Sequence, residues 1–359
     1  MNMSSGPGFF ESSHRRLQIT TLAGGLLAVV VIMLGAWTRL VDAGLGCPDW
    51  PGCYGFLSVP SGEDQIRLAE ARFPDSPVDA AKGWPEMIHR YAAGTLGLVI
   101  FGIATAAWMS RSEQTPVKLP AFTAGFVVLQ AAFGAWTVTL SLWPQVVAAH
   151  LLGGFTTLSL LFLLLLRLGR QYAPGRSLPP ENRAALLRLR PWLYAGLVVV
   201  VLQIALGAWT AANYAAVACP DLPTCQGEWW PETNFQEGFN VSQSVGPNYL
   251  GGKLGNDARV TIHLSHRVGA IMVTVVLGAL FLAFIKLTRG HRLSRAAWVG
   301  LGILAAQVGL GILNVLLHIP VAIAVAHNAF GAFLLLAVIN LIYRVHQVSP
   351  AKQPARINS

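Results

Sequence analysis

The sequence predicts an all-α integral membrane protein in which eight transmembrane helices form two pseudo-symmetric four-helix bundles. Three observations carry that prediction. Of the 359 residues, 54% are hydrophobic and 11% charged, a balance well outside that of soluble domains. The apolar residues fall in runs long enough for a helix to cross a bilayer, which takes about 20 residues. The residues able to do chemistry then recur at matched intervals: His89 and His150 are 61 apart, and so are His266 and His327. Gln130 and Gln307 each stand 20 residues before the second histidine of their pair, and Gly35 to Cys47 and Gly207 to Cys219 are both 12.

In order, the chain opens on a basic tail, 1–19, and a first span over 20–41. A long loop, 43–86, leads to spans at 87–108, 120–142 and 146–168, completing the first bundle (20–168). A basic linker, 169–190, precedes a fifth span at 191–213. A second long loop, 214–259, leads to spans at 260–285, 297–318 and 322–343; these complete the second bundle (191–343), and 344–359 form a tail. The turns at 143–145 and 319–321 are short and force tight antiparallel hairpins. Four helices per unit is an even number, so both units enter from one side and are parallel repeats about an axis along the membrane normal. The first and fifth spans end alike, Gly35-Ala36-Trp37-Thr38 and Gly207-Ala208-Trp209-Thr210. Gly134-Ala135-Trp136-Thr137 repeats the motif clearly and Gly311-Ile312-Leu313-Asn314 faintly. Small residues at such points let helices approach closely where lipid supplies no hydrophobic drive.

A net charge of +9 would suit nucleic acid, but its distribution argues against that. Segments 1–19, 109–119, 167–190, 286–296 and 344–359 hold 17 Lys/Arg and 3 Asp/Glu, whereas the opposite side, mainly the two long loops, holds 5 and 13. Positive residues stay inside, so the reading is a multi-pass protein of the plasma (inner) membrane with both termini cytoplasmic and both long loops outward. The first span follows Arg15 and Arg16 and is too long for a cleavable signal peptide.

All four cysteines lie in the outward loops, in one frame: Cys47-Pro-Asp-Trp-Pro-Gly-Cys53 and Cys219-Pro-Asp-Leu-Pro-Thr-Cys225. An oxidising exterior and proline-constrained loops favour two local disulfides, Cys47–Cys53 and Cys219–Cys225. The alternative, four thiolates on zinc, needs the loops to converge and lacks the usual CxxC spacing.

The histidines carry the chemistry. Spans 2, 4, 6 and 8 all run from outside to inside, and His89, His150, His266 and His327 sit near their starts, at similar depth. His89 can face His150 across one bundle and His266 can face His327 across the other. Opposed imidazoles in a helical bundle can ligate one haem iron axially. Gly94, Gly97, Gly153, Gly154, Gly269 and Gly331 would clear space for a flat macrocycle. Arg90, Arg267 and Arg39 are candidate propionate contacts, with interfacial anchoring as the plainer role. His14, His291 and His346 fall in cytoplasmic segments as solvated residues, and His318 at an outer helix end.

The halves differ at one position. Aligning His89-Arg90 with His266-Arg267 sets Glu86 against His263. Glu86 lies three residues before His89, on the same helix face. A carboxylate beside a bound haem could move protons or stabilise developing positive charge. The plainer reading is an N-terminal carboxylate after Pro85, stabilising by ~0.3–1 kcal/mol. One half thus reads as reactive and the other as an electron-transfer site.

Gly35-Ala-Trp-Thr-Arg39, Leu45 to Cys53, Glu86-Met-Ile-His-Arg90, Ala149-His150 and Ile262-His-Leu-Ser-His-Arg267 together resemble the haem A synthase family, over nearly the whole chain. The resemblance implies an oxidoreductase that converts the C8 methyl of haem O to a formyl group, giving haem A for cytochrome c oxidase. It implies that His89 and His150 hold the substrate haem, that His266 and His327 hold a haem b cofactor, and that Glu86 is the catalytic glutamate. It also implies a redox-relevant pair at Cys47 and Cys53 and a structural disulfide at Cys219 and Cys225. Haem O, haem O synthase, an electron acceptor and membrane lipid are the expected partners; a homo-oligomer is admitted and nucleic acid excluded. The alternatives are a dihaem b-type cytochrome in quinone-linked electron transfer, which gives Glu86 no special value, and a transporter built on the same repeat.

Overall fold

The computed structural model describes residues 7–110, 116–169 and 178–348, with side chains from His14 onward. Ten α-helices form among them: α1 (Pro7–Leu40), α2 (Glu63–Arg72), α3 (Ala80–Met109), α4 (Lys118–Thr139), α5 (Pro144–Leu168), α6 (Pro180–Ala212), α7 (Phe235–Gly238), α8 (Asn256–Leu287), α9 (Ser294–Leu316) and α10 (Val321–His346). All but the short α2 and α7 are long and apolar enough to cross a membrane, which gives the eight spans of a multi-pass membrane protein.

The helices outrun the apolar runs that signal them. α1 begins inside the 1–19 tail, α6 takes up residues 180–190 of the basic linker, and α10 continues to His346. The added stretch of α6, Pro180-Glu-Asn-Arg-Ala-Ala-Leu-Leu-Arg-Leu-Arg190, is rich in strong helix formers, so the backbone ladder continues past the point where hydropathy falls. α3 likewise starts at Ala80, where the Asp79 carboxylate caps the amides of Ala81 and Lys82. Residues 170–177 of the linker and 349–359 of the C-terminal tail lie outside the described residues. His346 is more than a solvated residue: its Nε2 sits 2.7 Å from the Tyr194 hydroxyl, which ties α10 to α6.

Each half packs as a closed ring. α1 touches α3 and α5, and α4 touches the same two; α6 touches α8 and α10, and α9 touches the same two. The halves meet through α1–α10, α5–α6 and α5–α10. Exchanging α1 with α6 and α5 with α10 swaps the first two of these contacts and leaves the third unchanged. That is the pattern a twofold produces, so the packing fits the pseudo-symmetric reading.

The turns repeat as well. Asp42 and Tyr214 have φ of 52° and 53°, Tyr54 and Gln226 have 56° and 57°, and the hairpins use Ser141-Leu142 (53°, 64°) and His318-Ile319 (59°, 59°). In both hairpins an amide returns to the carbonyl five residues earlier, Leu142 to Thr137 at 2.8 Å and Ile319 to Asn314 at 2.7 Å. These bonds satisfy carbonyls that the helix end leaves open.

The apolar core occupies one end of both bundles. Ile100, Leu161, Leu164, Leu277, Phe281, Phe284 and Leu341 are almost wholly buried and lie well along their helices, beyond the histidines, and Leu193 in the first half of α6 is buried in the same cluster. Leu26, Leu98, Val198 and Ile271 are more than half exposed on the outer faces, as lipid-facing residues are. One end of the molecule is packed solid; the other carries the polar chemistry.

Candidate functional site

The four repeat histidines stand on α3, α5, α8 and α10. They lie nine and six residues past the first residue of α3 and α5, and ten and six past that of α8 and α10. In α3 and α8 this is deeper than the apolar spans suggest, because both helices start earlier. Each histidine ring meets a glycine on the helix that precedes its own in its ring. A Cβ on Gly35 would stand 2.9 Å from His89 Cε1, and one on Gly134, Gly207 or Gly311 would stand 3.1 Å from the Cε1 of His150, His266 or His327. The recurring Gly-Ala-Trp-Thr motif therefore seats a histidine, and any larger residue there must displace the ring.

His89 and His150 are brought together, with ring centres 6.5 Å apart and ring planes perpendicular. Two metal–nitrogen bonds of about 2 Å, with roughly 1 Å from each nitrogen to its ring centre, span about 6 Å. The separation thus suits two axial ligands on one iron. Nδ1 of His89 and of His327 is buried without a partner, a further mark of rings arranged for something other than their neighbours.

Glutamines back the other rings. Gln130 Nε2 lies 3.1 Å from His150 Nδ1 and 2.7 Å from its carbonyl; Gln203 Nε2 lies 3.1 Å from His266 Nδ1 and 2.9 Å from its carbonyl. Gln307 reaches His327 Nε2 at 3.4 Å. The interval of 20 residues singles out Gln130 and Gln307 but not Gln203. The signal that finds all three is their position four residues before Gly134, Gly207 and Gly311. Gly153 and Gly269, expected to clear room for a macrocycle, make room for these glutamines: a Cβ there would fall 1.9 and 2.1 Å from Gln130 Oε1 and Gln203 Oε1. A Cβ on Gly94 or Gly97 meets nothing within 4 Å.

Above the first pair sits the acidic group. Glu86 is only 4% exposed; Oε2 accepts the Cys47 amide at 2.9 Å, and Oε1 pairs with Arg90 Nη2 at 2.5 Å. Arg90 Nη1 donates onward to the carbonyls of Asp49 (2.9 Å) and Gly52. Cys47 and Cys53 are joined as a disulfide, as are Cys219 and Cys225, so the zinc alternative loses its thiolates. Arg267 makes the matching staple, donating to the carbonyls of Cys219, Asp221 and Thr224 at 3.0, 2.8 and 2.8 Å. Both arginines thus hold cysteine loops down on their bundles. Arg39 donates to the Ala211 carbonyl at 2.9 Å and lies 3.8 Å over the Tyr214 ring, joining the end of α1 to that of α6.

Among the described residues, the second half has no buried carboxylate at the position matching Glu86. His263, buried at Glu86's equivalent position, has Nδ1 3.1 Å from the Ala215 carbonyl and donates to it. The loop is tightened by Asp221, which accepts from Thr224 and from the amides of Gln226 (2.6 Å) and Gly227 (3.0 Å); these bonds hold its carboxyl below the usual carboxylate range. The two caps are built alike, and only the first places a negative charge against the bundle.

Comparison with known proteins agrees with this geometry. Residues 18–339 match the family model of COX15-CtaA, the cytochrome oxidase assembly protein. A haem A synthase of Shewanella oneidensis is 42% identical over 89% of this chain and 93% of its own length. Haem A synthases of Symbiobacterium thermophilum and a Caulobacter species are 28% and 27% identical, over 83% and 90% of this chain and 85% and 94% of their own. With eight apolar helices, two stapled cysteine loops and paired histidines beneath them, the chain belongs to the haem A synthase family.

Proposed function

We propose that this chain oxidises the C8 methyl of haem O to a formyl group, yielding haem A for cytochrome c oxidase. His89 and His150 hold the substrate haem in the first bundle, and His266 and His327 hold a resident haem b in the second. The cysteine loops face outward and both termini face the cytoplasm, in the plasma (inner) membrane. The observation that carries the reading is the broken repeat: two bundles with matching histidine seats, of which only the first carries a buried carboxylate, Glu86, one turn from its histidine.

Haem b, when bound, supplies one-electron transfer, for which two histidine ligands and a shielded site are suited. His89 and His150 orient the substrate under the first cap, and the glycine seats on α1 and α4 fix where their rings stand. Converting a methyl to a formyl group with water as oxygen source releases four protons and four electrons. An electron acceptor and a proton outlet are therefore both required. Glu86 meets the second need: Oε2 can take up a proton by releasing the Cys47 amide while Arg90 retains Oε1. The same carboxylate opposes positive charge developing on the substrate in a site of low dielectric. Arg90 keeps the carboxylate in place, and the loop over it limits water. Haem O synthase, an electron acceptor and a homo-oligomeric state complete the proposed setting.

The test is chromatography of haems extracted from membranes that express the chain with a supply of haem O. Haem A beside haem b is expected from the wild type, and haems O and b without haem A from Glu86→Gln. Haem b alone from the wild type would reject the proposal in favour of a dihaem cytochrome, and undiminished haem A from Glu86→Gln would reject the role given to Glu86.

A further inference from the structure

Three of the four histidine seats carry a glutamine at one shared position, and the fourth does not. Counting four residues back from each seat glycine gives Gln130 on α4, Gln203 on α6 and Gln307 on α9, but Val31 on α1. The departure has a companion. Three residues after the histidine, where Gly153 and Gly269 leave space for a glutamine side chain, α3 carries Ala92. Glutamine goes with glycine at the His150 and His266 seats and valine with alanine at the His89 seat, while at the His327 seat Gln307 goes with Phe330. The result is visible at the ring. His150 and His266 are each held by an amide at Nδ1, whereas at His327 Gln307 stands 3.4 Å from Nε2 and Nδ1 has no partner. His89 Nδ1 is buried without a side-chain partner, with the Val31 backbone carbonyl beside the ring.

The backing group matters for a ligand that binds through Nε2. Gln130 and Gln203 donate Nε2 to the histidine's own carbonyl at 2.7 and 2.9 Å while standing 3.1 Å from its Nδ1, which fixes the amide beside the ring and with it the ring plane. Partners of this kind typically change metal affinity by about 10- to 100-fold when removed. A substrate haem has to arrive and its product has to leave, whereas a resident haem has only to stay. From these observations we infer that His89 is the exchangeable ligand of the first bundle, with Val31 and Ala92 leaving its ring without the backing amide that holds His150. The inference rests on the proposal that the first bundle takes the substrate haem. It makes Val31 a positioning residue that acts through His89.

The test uses purified full-length protein carrying both haems. Its readouts are the rate of haem transfer to apomyoglobin and the rate of cyanide binding to the ferric protein, resolved for the haem of each bundle. In the wild type, the first-bundle haem transfers and binds cyanide at least about 10-fold faster than the second. Installing the held arrangement with Val31→Gln and Ala92→Gly slows both rates for the first haem and leaves the second unchanged. The reverse exchange, Gln203→Val with Gly269→Ala, speeds both rates for the second haem. Equal rates at the two haems of the wild type, or no response to both exchanges, overturn the inference while leaving the site reading intact. If His150→Ala leaves the protein's haem content unchanged, no haem occupies the first bundle, and the site reading falls together with the inference.

Discussion

At the scale of the residue, Glu86 and Arg90 explain each other. A carboxylate this buried is costly unless paired, and removing one partner of a buried pair typically costs about 3–5 kcal/mol, because the other charge is left uncompensated. Arg90 supplies the pairing, and its remaining donors fix the carbonyls of Asp49 and Gly52. Arg90→Ala should therefore destabilise the protein by several kcal/mol. Much of that loss should return in the Arg90→Ala, Glu86→Gln double variant, where no charge is stranded. Thermal unfolding in detergent of the two single variants and the double variant checks this; strictly additive losses would mean that the two residues are not energetically coupled. Haem A formation is expected to stay lost in the double variant, since the coupling concerns stability and the carboxylate concerns chemistry.

At the scale of the element, the unit is a helix pair: a glycine on one helix seats a histidine on the next. Gly207→Val would drive a branched side chain into His266, whose Cε1 already lies 3.1 Å from a Cβ at that position. The haem b content of purified Gly207→Val should fall severalfold while the eight helices persist by circular dichroism. Full haem b content would remove Gly207 from the seat. The helix pairs also show what the sequence makes legible. Their existence, order and histidines follow from hydropathy and equal spacing, because lipid demands long apolar helices and duplication preserves intervals. Their ends do not, since α1, α3, α6 and α8 continue as hydrogen-bonded helix into polar sequence. α2, the polar helix Glu63-Asp-Gln-Ile-Arg-Leu-Ala-Glu-Ala-Arg72, gives no hydropathy signal inside its loop. Gln203 escapes notice because its partner is 63 residues away on another helix. The bonds from Arg90 and Arg267 to loop carbonyls are not legible in the sequence, because nothing local reveals which carbonyls the folded loop turns toward them.

At the scale of the whole molecule, one scaffold is used twice, with a few differences between the copies. Ring packing, turn geometry, glycine seats, disulfides and arginine staples repeat. Glu86 against His263 and Val31 against Gln203 do not. The central claim is that the first bundle handles substrate and the second keeps a cofactor. The most direct measurement is the haem composition of purified His89→Ala, His150→Ala protein beside that of His266→Ala, His327→Ala protein, each expressed with haem O. The first should retain haem b and lose haems O and A, while the second should lose haem b. Loss of haem b from the first variant, with haem O or haem A retained, would contradict the account.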